Sequence, residues 1–452
     1  MTRPTSPRRS KDGCAGDGQA MTRPSSRDVV GGSVRVPGDK SISHRALMFS
    51  AFATGTSRVR GILQSDDVKS TAAVLRALGW AVPRVDHDMT IEGAGFTSRL
   101  GAPASRLQCG NSGTTTRLMA GVAAAQPFAS TFIGDASLSR RPMRRVAAPL
   151  EAMGARIEFL EGHDGLPMVV HGATLHSVDW TLPVASAQLK SAVLLAGLCA
   201  RVPVRVKEPA PTRDHTEQML SALGVQVALD ADGFVALQPA DRLAPLDLDV
   251  PGDPSSAAFF LARALLADEG SIRLQNVLRS PYRDGFLRAI VRMGARVDEV
   301  RDGDAGNSPR DDLVAHGGHR LRAISVGRND VTSMIDEIPM LAVLAARAEG
   351  VTEVRGADEL RVKESDRIAA VVSNLRAIGV DAEELPDGLI VRGTEAPLAG
   401  RVVTHGDHRI AMAFGVLGAT PGCAIDIDDP DCCSVSYPGF WRDLALVRDV
   451  VR

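Results

Sequence analysis

Five times along this chain a helix-forming stretch ends in a bulky apolar residue followed at once by glycine: Ala77-Leu78-Gly79, Ala152-Met153-Gly154, Ala222-Leu223-Gly224, Arg292-Met293-Gly294 and Ala377-Ile378-Gly379. Glycine just past a helix end takes the left-handed conformation that closes the last turn. The phrases lie 70 to 85 residues apart, the size of a unit with several strands and two helices. A second phrase, a short polar turn before an Ala- and Leu-rich helix, recurs at Lys40-Ser41, Asn111-Ser112, Ser186-Ala187, Pro254-Ser255, Ile335-Asp336 and Asp407-His408. The chain therefore reads as six copies of one strand-and-helix unit, an α/β architecture.

The helices that open the units are small and apolar on nearly every side, as in Ala192-Val193-Leu194-Leu195-Ala196-Gly197, and belong inside a domain. Those that close on glycine, such as residues 366–378, alternate charged and apolar positions at helical spacing and belong outside. The segments Val36-Pro37-Gly38-Asp39 and Val250-Pro251-Gly252-Asp253 nearly repeat one another, which predicts a passage between two domains near residue 250. At 452 residues there is room for two cores.

Composition narrows the function classes. A formal net charge of −2 gives no basic field for nucleic acid or anionic membrane, and 4% aromatic content is poor for base stacking. Any anion site must be built locally. The six cysteines (Cys14, Cys109, Cys199, Cys423, Cys432, Cys433) form no C-x-x-C pair and no zinc-ligand spacing, so reduced thiols, a cytoplasmic setting and no metal are expected. No apolar run approaches the ~20 residues that span a bilayer. Residues 1–20 carry almost no apolar side chains and read as a disordered extension; Met-Thr-Arg-Pro occurs at both Met1 and Met21, leaving two possible starts.

Polar residues gather where the inner helices begin, and helix N-termini attract anions. Gly38-Asp39-Lys40-Ser41-Ile42-Ser43-His44-Arg45 lacks the P-loop pattern; by itself it is also readable as a capped helix with surface charges. Gly110-Asn111-Ser112-Gly113-Thr114-Thr115-Thr116-Arg117 admits a ligand close to the backbone, or is an ordinary cap. Four arginines lie between Arg140 and Arg145, where a solvated face is the default. Ser186-Ala187-Gln188 offers a hydroxyl and an amide, or a plain serine cap. His215, in Arg213-Asp214-His215-Thr216-Glu217, reads as structural more readily than as a ligand. Asp336-Glu337 is either chemistry or good capping. Arg361-Val362-Lys363-Glu364-Ser365-Asp366-Arg367 is denser in charge than helix initiation requires, with Lys363 and Arg367 at i, i+4, and Gly406-Asp407-His408-Arg409 adds another arginine. Recurrence of such patches at matching places in six units favours a shared anion cleft.

In this order, from about Gly31 to Phe440, the patches resemble the EPSP synthase family of 3-phosphoshikimate 1-carboxyvinyltransferases. The resemblance implies two similar domains, each of three βαβαββ-type units around buried inner helices (an inverse α/β barrel), with the active site in the interdomain cleft. The implied division is residues 39–250 for repeats 1–3, and residues 21–38 with 251–452 for repeats 4–6. The implied reaction transfers the enolpyruvyl group of phosphoenolpyruvate to the 5-hydroxyl of shikimate 3-phosphate and releases phosphate, in aromatic amino acid biosynthesis. No cofactor or metal is implied, and a monomer is. Shikimate 3-phosphate is expected on Lys40, Ser41, Arg45, Ser186, Ala187, Gln188, Arg213, Asp336 and Lys363. Phosphoenolpyruvate is expected on Lys40, Gly113, Arg141, Gln188, Arg367 and Arg409. Both substrates carry phosphate and carboxylate, which suit arginine forks. Asp336 is expected as the base on the 5-hydroxyl, Glu364 as the acid–base group at C3, with a carboxyl pKa raised by burial on closure, and Lys40 as the cation offsetting charge on the departing phosphate. Glyphosate is the implied competitive inhibitor, and a tolerant form of the family carries alanine where this chain has Gly113.

The chain departs from the family pattern in places. Val435-Ser436-Tyr437-Pro438 stands where some members have Lys-Thr-Phe-Pro, so that lysine cannot be carried over. Glu359 replaces an asparagine of some members, and Glu208-Pro209-Ala210-Pro211 stands where some have Ser-x-x-Tyr, leaving the phosphate contact to Arg213. Arg213-x-His215-x-Glu217 and Ser186-Ala187-Gln188-Leu189-Lys190 resemble the branch that includes glyphosate-tolerant members. Two other readings remain open: the related transferase acting on UDP-N-acetylglucosamine, whose catalytic cysteine in a glycine-rich loop has no counterpart here, and an inert anion binder, which would not call for Asp336 and Glu364.

Overall fold

The computed structural model describes residues 27–96, 101–301 and 309–447. The extension 1–20, both possible starts and Cys14 lie outside the described residues. Five outer helices end at the predicted phrases: Asp66–Ala77, Arg144–Ala152, His215–Ala222, Gly285–Arg292 and Arg367–Ala377. Each is followed by a buried residue (Leu78, Met153, Leu223, Met293 or Ile378) and then a glycine with φ between +88° and +112°. A side chain in that conformation costs roughly 1–2 kcal/mol, which explains why the phrase repeats.

Six inner helices follow the predicted polar turns: Lys40–Phe52, Gly113–Ala124, Ala187–Ala200, Pro254–Leu265, Ile338–Ala345 and His408–Gly418. They are buried along most of their length, as their composition requires. Five are capped by a side chain accepting from the first turn, namely Asp39, Ser112, Ser186, Asp253 and Asp407. The fifth inner helix is different. A 3-10 turn, Ile335–Glu337, precedes it and no side chain caps it.

The sheets show the repeat directly. In the second unit Leu107–Gln108 runs parallel to Ala129–Ile133, which pairs antiparallel with Met168–His171, which pairs antiparallel with Arg156–Phe159. The third and fifth units have the same order. In the fourth, the parallel first strand is supplied by residues 29–34, more than 200 residues away in sequence. In the first, it is supplied by Asp247–Asp249. Two hydrophobic cores result. One holds Ile42 to Val250 with Leu278; the other holds Val30, Val34 and Val36 with residues 257–447. The fold is thus mixed α/β with two lobes of three units each.

The chain passes between the lobes at the two near-identical segments, which pair with each other. The Asp39 amide donates to Pro251 O (2.7 Å) and the Asp253 amide donates to Pro37 O (2.9 Å). A Cβ on Gly38 would stand 2.1 Å from Gly61 O, so only glycine fits this crossing. Arg283 lies buried beneath it and donates to both capping carboxylates, Asp39 (3.0 Å) and Asp253 (2.8 Å). Among the described residues no helix is long and apolar enough to cross a membrane.

Candidate active site

The N-terminal ends of five of the six inner helices open onto one cavity of about 180 Å³ between the lobes; the fourth, Pro254–Leu265, does not reach it. Twelve of the fourteen residues expected from sequence line it. The first inner helix contributes Lys40 and Ser41, the second Gly113, and the third Ala187 and Gln188 behind the cap Ser186. Arg141 and Arg213 enter from loops of the first lobe; Asp336, Lys363, Glu364 and Arg409 face them from the second. The lining carries seven Lys or Arg side chains and four Asp or Glu, a local positive excess within a chain of net charge −2.

The other two lie beneath this surface. Arg45 is 3% exposed, and its guanidinium donates to Thr216 Oγ1 (2.6 Å), Ser191 Oγ (2.8 Å) and Ser41 O (3.0 Å). Arg367 is 1% exposed and is a hub: it pairs with Glu364 (2.6 Å), Asp407 (2.8 Å) and Asp336 (3.4 Å).

Asp336 sits in the 3-10 turn and caps nothing, so the capping reading of this acid is set aside. Its carboxylate accepts from Arg213 (2.5 Å) and lies 3.6 Å from Lys363 and 3.9 Å from Arg409. Burial pushes this carboxyl up, but Lys363, Arg409, Arg213 and Arg367 together hold it well below the usual carboxylate range. Lys363 and Arg367 do not share a helix, contrary to the i, i+4 reading. Asp366 caps the helix that begins at Arg367, and Lys363 ends the preceding 3-10 helix.

Glu364 corrects a second expectation. Burial does raise its carboxyl, but Arg367, Arg141, His408 and Lys40 outweigh that and hold it well below normal. Arg141 Nη1 lies 3.5 Å from its carboxylate across the cleft, and Ser137 donates to its backbone carbonyl (2.8 Å). Arg141 is 6% exposed and also donates to Asn111 Oδ1 (2.6 Å), so it is not part of a solvated arginine face.

Four charged lining residues were not assigned from sequence: Arg117, Asp67, Arg145 and Glu359. Arg117 lies four residues after Gly113 on one helix face, a spacing that could have flagged it; it donates to Gln188 Oε1 (2.7 Å), and burial, then Arg141, lower its pKa to about 10. Asp67 accepts from the Lys40 ammonium (3.0 Å). Arg145 donates to both oxygens of Glu359 (2.7 and 2.9 Å) across the lobes. No local pattern could have announced that pair. Val435 does not line the cavity, and among the described residues no cluster of metal-ligating side chains occurs.

The EPSP synthase (3-phosphoshikimate 1-carboxyvinyltransferase) family model matches residues 25–444. A 3-phosphoshikimate 1-carboxyvinyltransferase of Aquifex aeolicus is 45% identical over 421 residues, covering 92% of this chain and 97% of the relative. That of Bacillus subtilis is 44% identical over 414 residues, covering 91% and 96%. A solved EPSP synthase from Acinetobacter baumannii superposes with a TM-score of 0.80 at 39% identity, covering 94% of this chain and 97% of that one. With the cleft and its paired carboxylates in view, these likenesses place the chain in the EPSP synthase family.

Proposed function

We propose that this chain transfers the 1-carboxyvinyl group of phosphoenolpyruvate to the 5-hydroxyl of shikimate 3-phosphate, releasing phosphate. The observation that carries this reading is a pair of carboxylates, Asp336 and Glu364, set among cations drawn from both lobes. Binding two anions alone would not call for acids there. Shikimate 3-phosphate takes Lys40, Ser41, Ser186, Ala187, Gln188, Arg213, Asp336 and Lys363, with Arg45 beneath them. Phosphoenolpyruvate takes Lys40, Gly113, Arg141, Gln188, Arg367 and Arg409.

In the first step Asp336 takes the proton of the 5-hydroxyl as its oxygen bonds to C2 of phosphoenolpyruvate, and Glu364 delivers a proton to C3. In the second, the tetrahedral intermediate loses a C3 proton to Glu364 and phosphate leaves toward Lys40. Substrate phosphates and carboxylates compete for the cations that hold both acids low, Lys363 first for Asp336 and Arg367 first for Glu364. Substrate binding therefore raises both carboxyls toward the range where they exchange protons.

The enzyme works as a monomer in the cytoplasm and needs no cofactor or metal. The lobes divide as residues 39–250 against 21–38 with 251–452, a division supported by the two cores and the strand exchange at residues 29–34. Incubation with substrate pairs, read as phosphate release, tests the function. Release that requires shikimate 3-phosphate with phosphoenolpyruvate supports it. Release with UDP-N-acetylglucosamine instead supports the related transferase, and binding without release supports an inert binder.

Glyphosate competes with phosphoenolpyruvate. A Cβ on Gly113 would stand 2.9 Å from Arg117 Nη1 and 3.3 Å from Arg141 Nη1, so alanine displaces two guanidinium groups of that pocket. Gly113→Ala is expected to raise the inhibition constant for glyphosate about tenfold, an overpacking effect, and the KM for phosphoenolpyruvate by less. Equal inhibition constants for the two forms contradict this.

A further inference from the structure

Two sequence stretches that contribute Gln188 and Arg213 to the cleft also meet behind it. Lys190 of the first and Glu217 of the second form an ion pair of 2.6 Å. The Lys190 ammonium, 2% exposed, also pairs with Glu208 at 2.8 Å. Glu208 follows the strand Val204–Lys207, and Glu217 lies in the first turn of the outer helix His215–Ala222. One buried cation thus ties both ends of the segment 208–217. Glu208 holds the middle as well, because its second oxygen accepts from the Thr212 hydroxyl. Arg213, the next residue, crosses the cleft to Asp336.

Lys190 does not line the cavity, so it touches no substrate. A buried ammonium is costly to desolvate, and an apolar side chain of similar volume often serves packing as well. An apolar residue cannot, however, draw two carboxylates nine residues apart onto one point. We infer that Lys190 is a positioning residue: with Glu208 and Glu217 it fixes the loop so that Arg213 meets the phosphate of shikimate 3-phosphate. This rests on the assignment of Arg213 to that phosphate.

The test is a cycle of Lys190→Met and Arg213→Ala, singly and together, in the full chain. A third variant, Lys190→Met with Glu208→Gln and Glu217→Gln, removes all three charges, so no carboxylate is left buried without its partner. Lys190→Met and the charge-free variant should each raise the KM for shikimate 3-phosphate about tenfold, with kcat and the KM for phosphoenolpyruvate changed less than about twofold. In the Arg213→Ala background Lys190→Met should add nothing. A fall in kcat with no selective rise in the KM for shikimate 3-phosphate, or the same rise in KM with and without Arg213, overturns the inference while leaving Arg213 in place. An unchanged KM in Arg213→Ala overturns the phosphate assignment itself, and the inference falls with it.

Discussion

Glu364→Gln is expected to lower kcat by about 10²–10⁴-fold, the range that a positioned acid–base group supplies. Glutamine keeps the volume and can still accept from Arg367 and Arg141, the groups that lie 2.6 and 3.5 Å from the carboxylate. What it loses is the ability to give a proton to C3 and take one back. The KM for shikimate 3-phosphate should move little, because Glu364 faces the phosphoenolpyruvate side of the cleft through Arg141. Two measurements separate this from a general disturbance. Phosphate release gives kcat, and in heavy water the wild type should carry deuterium into the vinyl group of the product while the variant should not. Turnover near the wild-type rate, or undiminished deuterium uptake, removes Glu364 from the role.

A great deal of the fold is written locally. The glycine after Leu78, Met153, Leu223, Met293 or Ile378 ends a helix because the left-handed turn there needs it, and each such phrase does end one. The duplicated Val-Pro-Gly-Asp segments mark the crossing because both must pass where a Cβ has no room. The cleft was legible for the same reason: cations placed at helix starts meet if the units share one topology. Three features were not legible. The 3-10 turn at Ile335–Glu337 frees Asp336 from capping, and the sequence there reads equally well as the first turn of a helix. The depressed carboxyl of Glu364 depends first on Arg367, three residues on, but also on Arg141, 223 residues away, which meets it only where the lobes close. The Lys190–Glu217 pair joins two stretches whose individual patterns carry no sign of each other.

Acid should destabilise this protein before the depressed carboxyls of Asp336 and Glu364 titrate. His44, His215 and His408 are all buried and neutral, and burial is the first cause that lowers each of them. Cations add to it: Lys40 and Arg45 near His44; Arg45, Arg283, Arg213 and Lys190 near His215; Lys40 and Arg409 near His408, where Asp407 and Glu364 pull the other way without restoring it. His408 falls to about 3, with neither ring nitrogen hydrogen-bonded. A folded-state pKa below the unfolded value means that only the unfolded chain takes up the proton as pH falls. The stability these histidines contribute is therefore whole above the unfolded value near ~6.5 and lost below it. Between pH 7.5 and 5.5 each should remove about 1.4 kcal/mol, up to about 4 kcal/mol for the three. Asp39 and Glu217, whose carboxyls burial raises, act in the opposite direction as pH falls. The depressed carboxyls of Asp336 and Glu364 add their own loss only at lower pH. Because the opposing groups are unchanged in it, His408→Leu isolates the histidine share. Urea unfolding at pH 7.5, 6.5 and 5.5 should show the wild type falling more steeply than His408→Leu, by about 1.4 kcal/mol over the interval. Parallel curves for the two proteins would mean that His408 is already protonated in the folded state, and the buried-neutral account of it would be wrong.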